Sequence, residues 1–483
     1  MKLKKLTLAC AASVISGQAF AHAPGTVADE VIYISGASAQ DKAIKALVSD
    51  LCVSGTLDTF KDIANPSKKG KAYTSYFCTI DSTKVADMTV DKKVLINKRS
   101  AGGSGMGVQP VADEVAIEAL NINNGNCTDN GDRTWDCSIA GGVVGGDLIE
   151  VVSDAGISDV EPAMFTGPNV PPGASAVTPT QVAAMDVTSM NAVVFGVPVS
   201  TNLYRALQVA QGLTVGADDE ANMPSLTSAQ INGLITGGIK KWSDLQINGT
   251  PLTSVAGVTL PGQNFFGPNP VGYHVHYCRR VPGSGTQAQM NAVFANTPCA
   301  AGVKEPLLQA NTNPVFGPKV IENSGSGDVT VCLRDYATDD PATPEDDSRW
   351  AIGVQSLEKL DAGFRFVKVD GVAPTLKNVA ENKYKDWVET TMQWRNASNA
   401  PTGDVLNILK TIASNASTPA TIASLNAGFV HGFGTGAYLA LNTNGHVPSY
   451  PHDDANPVTT ATHAPDGVPN TCNFPQVNIA SDM

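Results

Sequence analysis

Basic residues are scarce. The chain has 32 Lys and Arg against 45 Asp and Glu, a formal charge of −13. That balance excludes a surface built to track a polyanion such as nucleic acid, so any anion site must be local and made of few groups. Long apolar runs are absent beyond the amino-terminal segment, and no later stretch has the length of a membrane span. No C-x-x-C pair occurs among the 9 cysteines, which argues against zinc-ribbon and thioredoxin patterns. The phosphate-cradling G-x-x-x-x-G-K-[ST] loop, the G-x-S-x-G elbow of hydrolases and the EF-hand spacing are also missing. What is plentiful is turn chemistry, with 45 Gly and 30 Pro in 483 residues. The composition is that of a globular protein, and the length suits two or three domains.

The chain opens with Lys2, Lys4 and Lys5, a short apolar run from Leu6 to Ile15, and Ala19-Phe20-Ala21. This pattern reads as a secretory signal peptide over residues 1–21, with Cys10 discarded along with it. The mature chain, from His22, is then more acidic still and is expected to be periplasmic or secreted. Its eight cysteines read as disulfides in an oxidising compartment. Cys52 with Cys78 and Cys127 with Cys137 are the cheapest local pairs. Cys278, Cys299, Cys332 and Cys472 leave three connectivities open.

One order of elements recurs. Val31 to Ile34 is a short apolar strand. Ser35-Gly36-Ala37-Ser38-Ala39-Gln40 follows as a small-residue loop, and Asp41 to Leu51 has helical spacing through Ala43, Ile44, Leu47 and Leu51. Val94 to Asn97, the loop from Lys98 to Gly107, and a helix expected over Val111 to Leu120 repeat it. Val271 to Tyr277, Cys278 to Gly285 and Thr286 to Phe294 repeat it again. Such units argue for an α/β fold with largely parallel sheets. Asn121 to Cys137 reads as a disulfide-closed hairpin. Pro224 to Leu245 reads as a helix through Ile231, Leu234 and Ile235, then a turn with Trp242.

The strongest chemical signal is Arg279-Arg280-Val281-Pro282-Gly283-Ser284-Gly285-Thr286. Arg offers a planar fork of donors suited to tetrahedral oxyanions. The glycines allow close backbone approach. The hydroxyls and the helix start add donors and a positive dipole end. Ser158-Asp159 is the second signal: a carboxylate among donors can accept a hydrogen bond from a protonated oxyanion, whereas fully ionised sulfate would meet repulsion. An ordinary Gly-rich turn and an Asp in a turn before Pro162 are the plain alternatives.

These segments, in order, resemble the phosphate-binding periplasmic proteins of ABC transporters, within the type 2 periplasmic-binding superfamily. The resemblance rests on Ser35 to Ala39, Ala101 to Gly105, Ser158-Asp159, the Leu226/Gln230/Ile231/Gly238/Trp242 helix, Arg280 to Thr286, and Ala351 to Val354. It implies a two-lobed α/β clam-shell, each lobe a mixed, mostly parallel sheet flanked by helices, closing on inorganic phosphate or a similar oxyanion. Lobe one would be 28–190 plus 346–441 and lobe two 191–345, with 442–483 a polar tail. Ser38, Ala39, Gln40, Ser104 and Asp159 would bind from lobe one, and Arg280, Ser284, Gly285 and Thr286 from lobe two. No catalysis, cofactor or metal is implied; an ABC permease is an implied partner. The chain departs from the family at Pro282, where Asp often stands, at Gln40-Asp41, and in its extra length and cysteines. Two alternatives therefore stay open: a secreted structural or extracellular-matrix protein on the same fold with an altered cleft, and a secreted phosphatase. Elsewhere, His274 and His276 could form half a metal site but read more simply as flanking the strand that feeds Arg280. Asp129, Asp132 and Asp136 could bind calcium but read more simply as a solvated hairpin. The acidic run Glu345 to Asp347 reads as a solvated loop.

Overall fold

A computed structural model describes residues 22–64, 70, 72–261, 274–312, 317–337, 348–397, 399–442, 457–463 and 470–473. The expected signal peptide and the acidic run Glu345 to Asp347 lie outside the described residues, as do the first three residues of the strand expected over Val271 to Tyr277.

The fold is mixed α/β, with two sheets sharing one long strand. In the first sheet, strand Glu30–Gly36 lies between Lys92–Arg99 and Ala155–Ser158, both parallel to it. Tyr73–Ile80 adds antiparallel on one side. Trp387–Arg395 adds antiparallel on the other, followed by Met185–Ser200. Helix Asp41–Leu51 covers this sheet with Ala43, Ile44, Leu47, Val48 and Leu51 buried, the spacing of one helical face. The second sheet pairs His276–Arg280 parallel with Lys319–Asn323 and with Ala351–Gly353. The far half of Met185–Ser200 then joins Phe364–Val369.

Met185–Ser200 is therefore the strand that both sheets share. It runs beside Trp387–Arg395 as far as Val194, then beside Phe364–Val369 from Val197. Every residue from Met190 to Ser200 is buried, which is why the strand reads as a continuous apolar run instead of an alternating one. Ile32, Ile44, Ile96, Ile157 and Ile412 fill the first core; Leu203, Ile231, Leu234, Trp242 and Trp350 fill the second. The Trp242 region forms as its sequence indicates. Thr227 and Gln230 cap helix Ser228–Ile235 reciprocally, at 3.1 and 2.8 Å. The Trp242 indole donates to the Trp350 carbonyl at 3.1 Å.

Three local expectations change. The helix expected over Val111 to Leu120 stops at Ala112, because Glu114 takes a left-handed φ of 55°. Ile117–Leu120 is instead a strand paired with Leu148–Val151. Arg279 and Arg280 end a strand and do not lie in the loop. Within the segment expected in lobe one, Ala351–Gly353 pairs parallel with His276–Arg280 and Phe364–Val369 pairs antiparallel with the far half of Met185–Ser200, both in the second sheet. The Asn121 to Cys137 hairpin forms with Cys127 opposite Cys137. The disulfides are Cys52–Cys78, Cys127–Cys137, Cys278–Cys332 and Cys299–Cys472. No helix among the described residues is long and apolar enough to cross a membrane.

Candidate functional site

The strand–loop–helix units place their loops at one edge of each sheet, and the edges face each other. From the first sheet come the turn Ser38–Gln40, the turn Ser104–Gly107 and Asp159 just past Ala155–Ser158. From the second come Arg280 and the start of helix Gly285–Ala295. The two sets meet directly. The Gly105 N–H donates to the Gly283 carbonyl at 2.8 Å, one lobe to the other. The Thr286 hydroxyl donates to Asp159 Oδ2 at 3.2 Å, and the Asp159 N–H donates to Ser104 Oγ at 3.0 Å. Gly285 is required by this approach, because a Cβ there would collide with Ser104 Oγ and with Asp159 Cβ. Gly103, at φ 72°, would carry a Cβ 3.1 Å from Ser284 Cα.

Arg280 is buried, yet Pro282 leaves it no neighbouring carboxylate in sequence. Its guanidinium is oriented from another loop: Nη1 donates to Ser326 Oγ at 2.9 Å and Nη2 to the Ser324 carbonyl at 3.0 Å. Burial lowers its pKa to about 10, against the attraction of Asp159 and Asp41. Asp159 is buried too, and burial raises its carboxyl to about 6 in spite of Arg280 and Thr286. Asp159 Oδ1 has no hydrogen-bond partner.

Asp41 does not stand unopposed in the cleft. It accepts from Ser100 Oγ at 2.7 Å and lies 3.4 Å from the Lys98 ammonium. Lys98 is buried, which lowers its pKa, with Asp41 acting the other way. It donates to the Gly36 carbonyl at 3.0 Å and to Ser100 Oγ at 2.9 Å, tying the two lobe-one loops together.

The expected residues do not all converge. Ser104, Asp159, Arg280, Gly285 and Thr286 gather at the lobe contact. Ser38 Oγ reaches Ser326 Oγ at 3.4 Å across the cleft. Gln40 turns its side chain away, donating to Asn191 Oδ1 on the shared strand at 3.2 Å. The Ala39 carbonyl accepts from Tyr438 at 2.7 Å. Ser284 Oγ is used as a helix cap, accepting from the Gln287 N–H at 3.3 Å. Lys98, Ser324 and Ser326 were not singled out from sequence. The signal for the serines was present: Lys319–Asn323, then Ser324-Gly325-Ser326-Gly327, then helix Ser326–Ala337, is a further strand–loop–helix unit.

A cavity of about 20 Å³ lies beside Ser38, Asp41 and Ser326. That holds one water and no tetrahedral oxyanion. Among the described residues no group of three or more His, Cys, Asp or Glu could hold a metal ion. His274 and His276 serve the strand: His276 Nδ1 lies 2.9 Å from the His274 carbonyl, and burial pushes its imidazole down to about 3. In the hairpin, Asp129 accepts from the Gly131 N–H at 2.8 Å and Asp132 from the Thr134 N–H at 3.0 Å.

No family model matches the chain and no curated protein matches it. Among solved structures it is similar to a putative phosphate ABC transporter substrate-binding protein with bound phosphate from Clostridium perfringens. Identity there is 14% and the TM-score 0.42, over 82% of this chain and 97% of that one. It is also similar to an ABC-type phosphate transport receptor from Vibrio cholerae, at 11% identity and a TM-score of 0.38, over 83% of this chain and 98% of that one. These are proteins of the class that the loops resemble in sequence.

Proposed function

We propose that the protein is an exported solute-binding protein that holds hydrogen phosphate, or a similar protonated tetrahedral oxyanion, between its lobes. The observation that carries this is the buried, unpartnered Asp159 Oδ1 beside Arg280 and Thr286. A buried carboxylate oxygen without a donor is costly, and an O–H of hydrogen phosphate supplies one. Arg280, Ser104, Ser38 and the N–H groups opening helix Gly285–Ala295 supply donors to the other oxygens. The bonds Gly105–Gly283 and Thr286–Asp159 must part for an anion to enter, by bending at the shared strand. Binding without catalysis, delivery to an ABC permease, and a periplasmic or secreted location complete the reading.

The test is equilibrium binding of labelled phosphate to the mature protein. Micromolar or tighter binding, lost in Arg280→Ala, is expected. Absence of binding to phosphate, arsenate and sulfate alike would sink the proposal. A second reading, a secreted structural protein whose cleft stays shut, draws on the loop-to-loop contact that already fills the cleft. Native protein found in filaments or matrix with no anion bound would favour it.

A further inference from the structure

A second cavity, of about 590 Å³, lies behind the cleft. Its wall combines the far end of helix Gly285–Ala295, the segment entering strand Trp387–Arg395, and the tail at His463 and Cys472. The volume falls in the range of small-molecule sites.

Five of its lining side chains are buried and carry atoms without a well-aligned hydrogen-bond partner. They are Asp386 Oδ1 and Oδ2, Tyr384 Oη, Trp387 Nε1, Gln289 Oε1, and His463 Nδ1 and Nε2. None of these residues is more than 7% exposed. The Gln289 amide is oriented by its own chemistry. Its nitrogen donates to the Trp387 carbonyl at 2.9 Å, which assigns the remaining atom as the oxygen. Native interiors rarely leave one buried polar group unpaired, and seven such atoms in one wall point to a missing partner. A cavity of about 450 Å³ near Arg365 makes the contrast: there Arg365 is paired with Asp218 at 2.8 Å.

The identity of the partner follows from the mixture of orphans. Three are acceptors (the two Asp386 oxygens and Gln289 Oε1), two are donors (Tyr384 and Trp387), and the neutral His463 ring adds one of each. An ammonium would serve the acceptors and leave the Tyr and Trp donors unpaired. An anion would serve the donors and meet Asp386. A hydroxyl donates and accepts, so several hydroxyls on one frame satisfy both kinds. The cations at the mouth do not alter this, since Lys383 is paired with Glu381 at 2.6 Å and Lys385 has an interaction of its own. Ala292, Val293 and Phe294 add apolar groups to the wall for a ring's C–H groups. We propose that this cavity binds a small neutral polyhydroxylated molecule, a monosaccharide or cyclic polyol, seated on Asp386 and Gln289. Burial raises the Asp386 carboxyl to about 7, against a smaller lowering by a weak, poorly aligned hydrogen bond from the Gln289 amide. Near neutral pH it can therefore give as well as take a hydrogen bond. The site stands apart from the cleft, whatever the cleft binds.

Calorimetric or saturation-transfer titration of the full mature protein with D-glucose, D-galactose and myo-inositol tests it, with methylammonium chloride and acetate as controls. Saturable binding of at least one polyol is expected, weakened tenfold or more by both Asp386→Asn and Gln289→Leu. If Asp386→Asn does not fold, as judged by circular dichroism, Gln289→Leu decides. Three results would each overturn the proposal: no saturable polyol binding, which leaves only ordered water as occupant; binding of methylammonium in place of polyols; or polyol binding that Gln289→Leu leaves intact.

Discussion

The two faces of helix Gly285–Ala295 solve the burial of polar groups in opposite ways. At its start, the cleft sets buried charges against one another. Lys98 lies by Asp41, Arg280 is attracted to Asp159, and each has hydrogen bonds to loop atoms. At its far end, Asp386, Tyr384, Trp387 and Gln289 line a roomy cavity with polar atoms left over. The cleft is held shut by direct loop-to-loop bonds, and Asp159 Oδ1 is left unmatched beside them. The rear cavity is incomplete in the protein alone. A buried polar site can thus be self-satisfied and opened by its ligand, or unsatisfied until the ligand arrives.

The largest test of that contrast is Arg280→Ala. Removing a buried cation from its carboxylate is expected to destabilise the fold by about 3–5 kcal/mol and to abolish phosphate binding, read by denaturant melts and labelled phosphate. If stability is unchanged, the cleft is not self-satisfied. Next comes loss of the Cys278–Cys332 disulfide, which joins the Arg280 strand to helix Ser326–Ala337 across a separation of 54 residues. Its double Ser variant is expected to lose about 2–4 kcal/mol and to loosen the Ser326 support of Arg280. Gly285→Ala should cost about 1–3 kcal/mol by overpacking. Because its Cβ meets Ser104 across the lobes, phosphate affinity should fall roughly tenfold or more while each core stays intact.

The smallest effect is one of pH. Asp159 and Asp386 have folded pKa values raised to about 6 and about 7. Both hold protons more tightly folded than unfolded. The stability they contribute is therefore fully present below about pH 4 and is lost as pH rises through 6 and 7. Melting temperature should fall across that window, less steeply in Asp159→Asn. Preference for phosphate over sulfate should weaken below about pH 6, where Asp159 gains a proton of its own to donate. A preference flat in pH would show that Asp159 does not face the anion.

Much of the cleft was legible because its determinants are local. A strand, a small-residue loop and a helix start are each written within about a dozen residues, and Ser104, Asp159 and Arg280 follow from that grammar. Ser326 is written the same way, between strand Lys319–Asn323 and a helix start. The shared strand is not legible. Its pairing of Met185–Ser200 with two strands distant in sequence leaves no local trace, and a continuous buried run has no period to find. The same holds for residues 351–369, whose sheet depends on partners far away, and for Gln40, drawn toward Asn191. The Val111 to Leu120 helix failed for a local reason, the backbone turn at Glu114.

The tail carries one more consequence. Cys472 is bonded to Cys299, just beyond helix Gly285–Ala295, while the adjacent Thr471 exchanges hydrogen bonds with Glu161, two residues past Asp159. Farther back, strand Thr459–Ala461 is fastened to Tyr438–Asn442 in the first lobe. Thr471 and Cys472 thus tie the end of helix Gly285–Ala295 to the loop that follows Ala155–Ser158. Reducing that single bond is expected to loosen the hold of one sheet's loops on the other's, read as faster amide exchange at Glu161 with both cores unchanged.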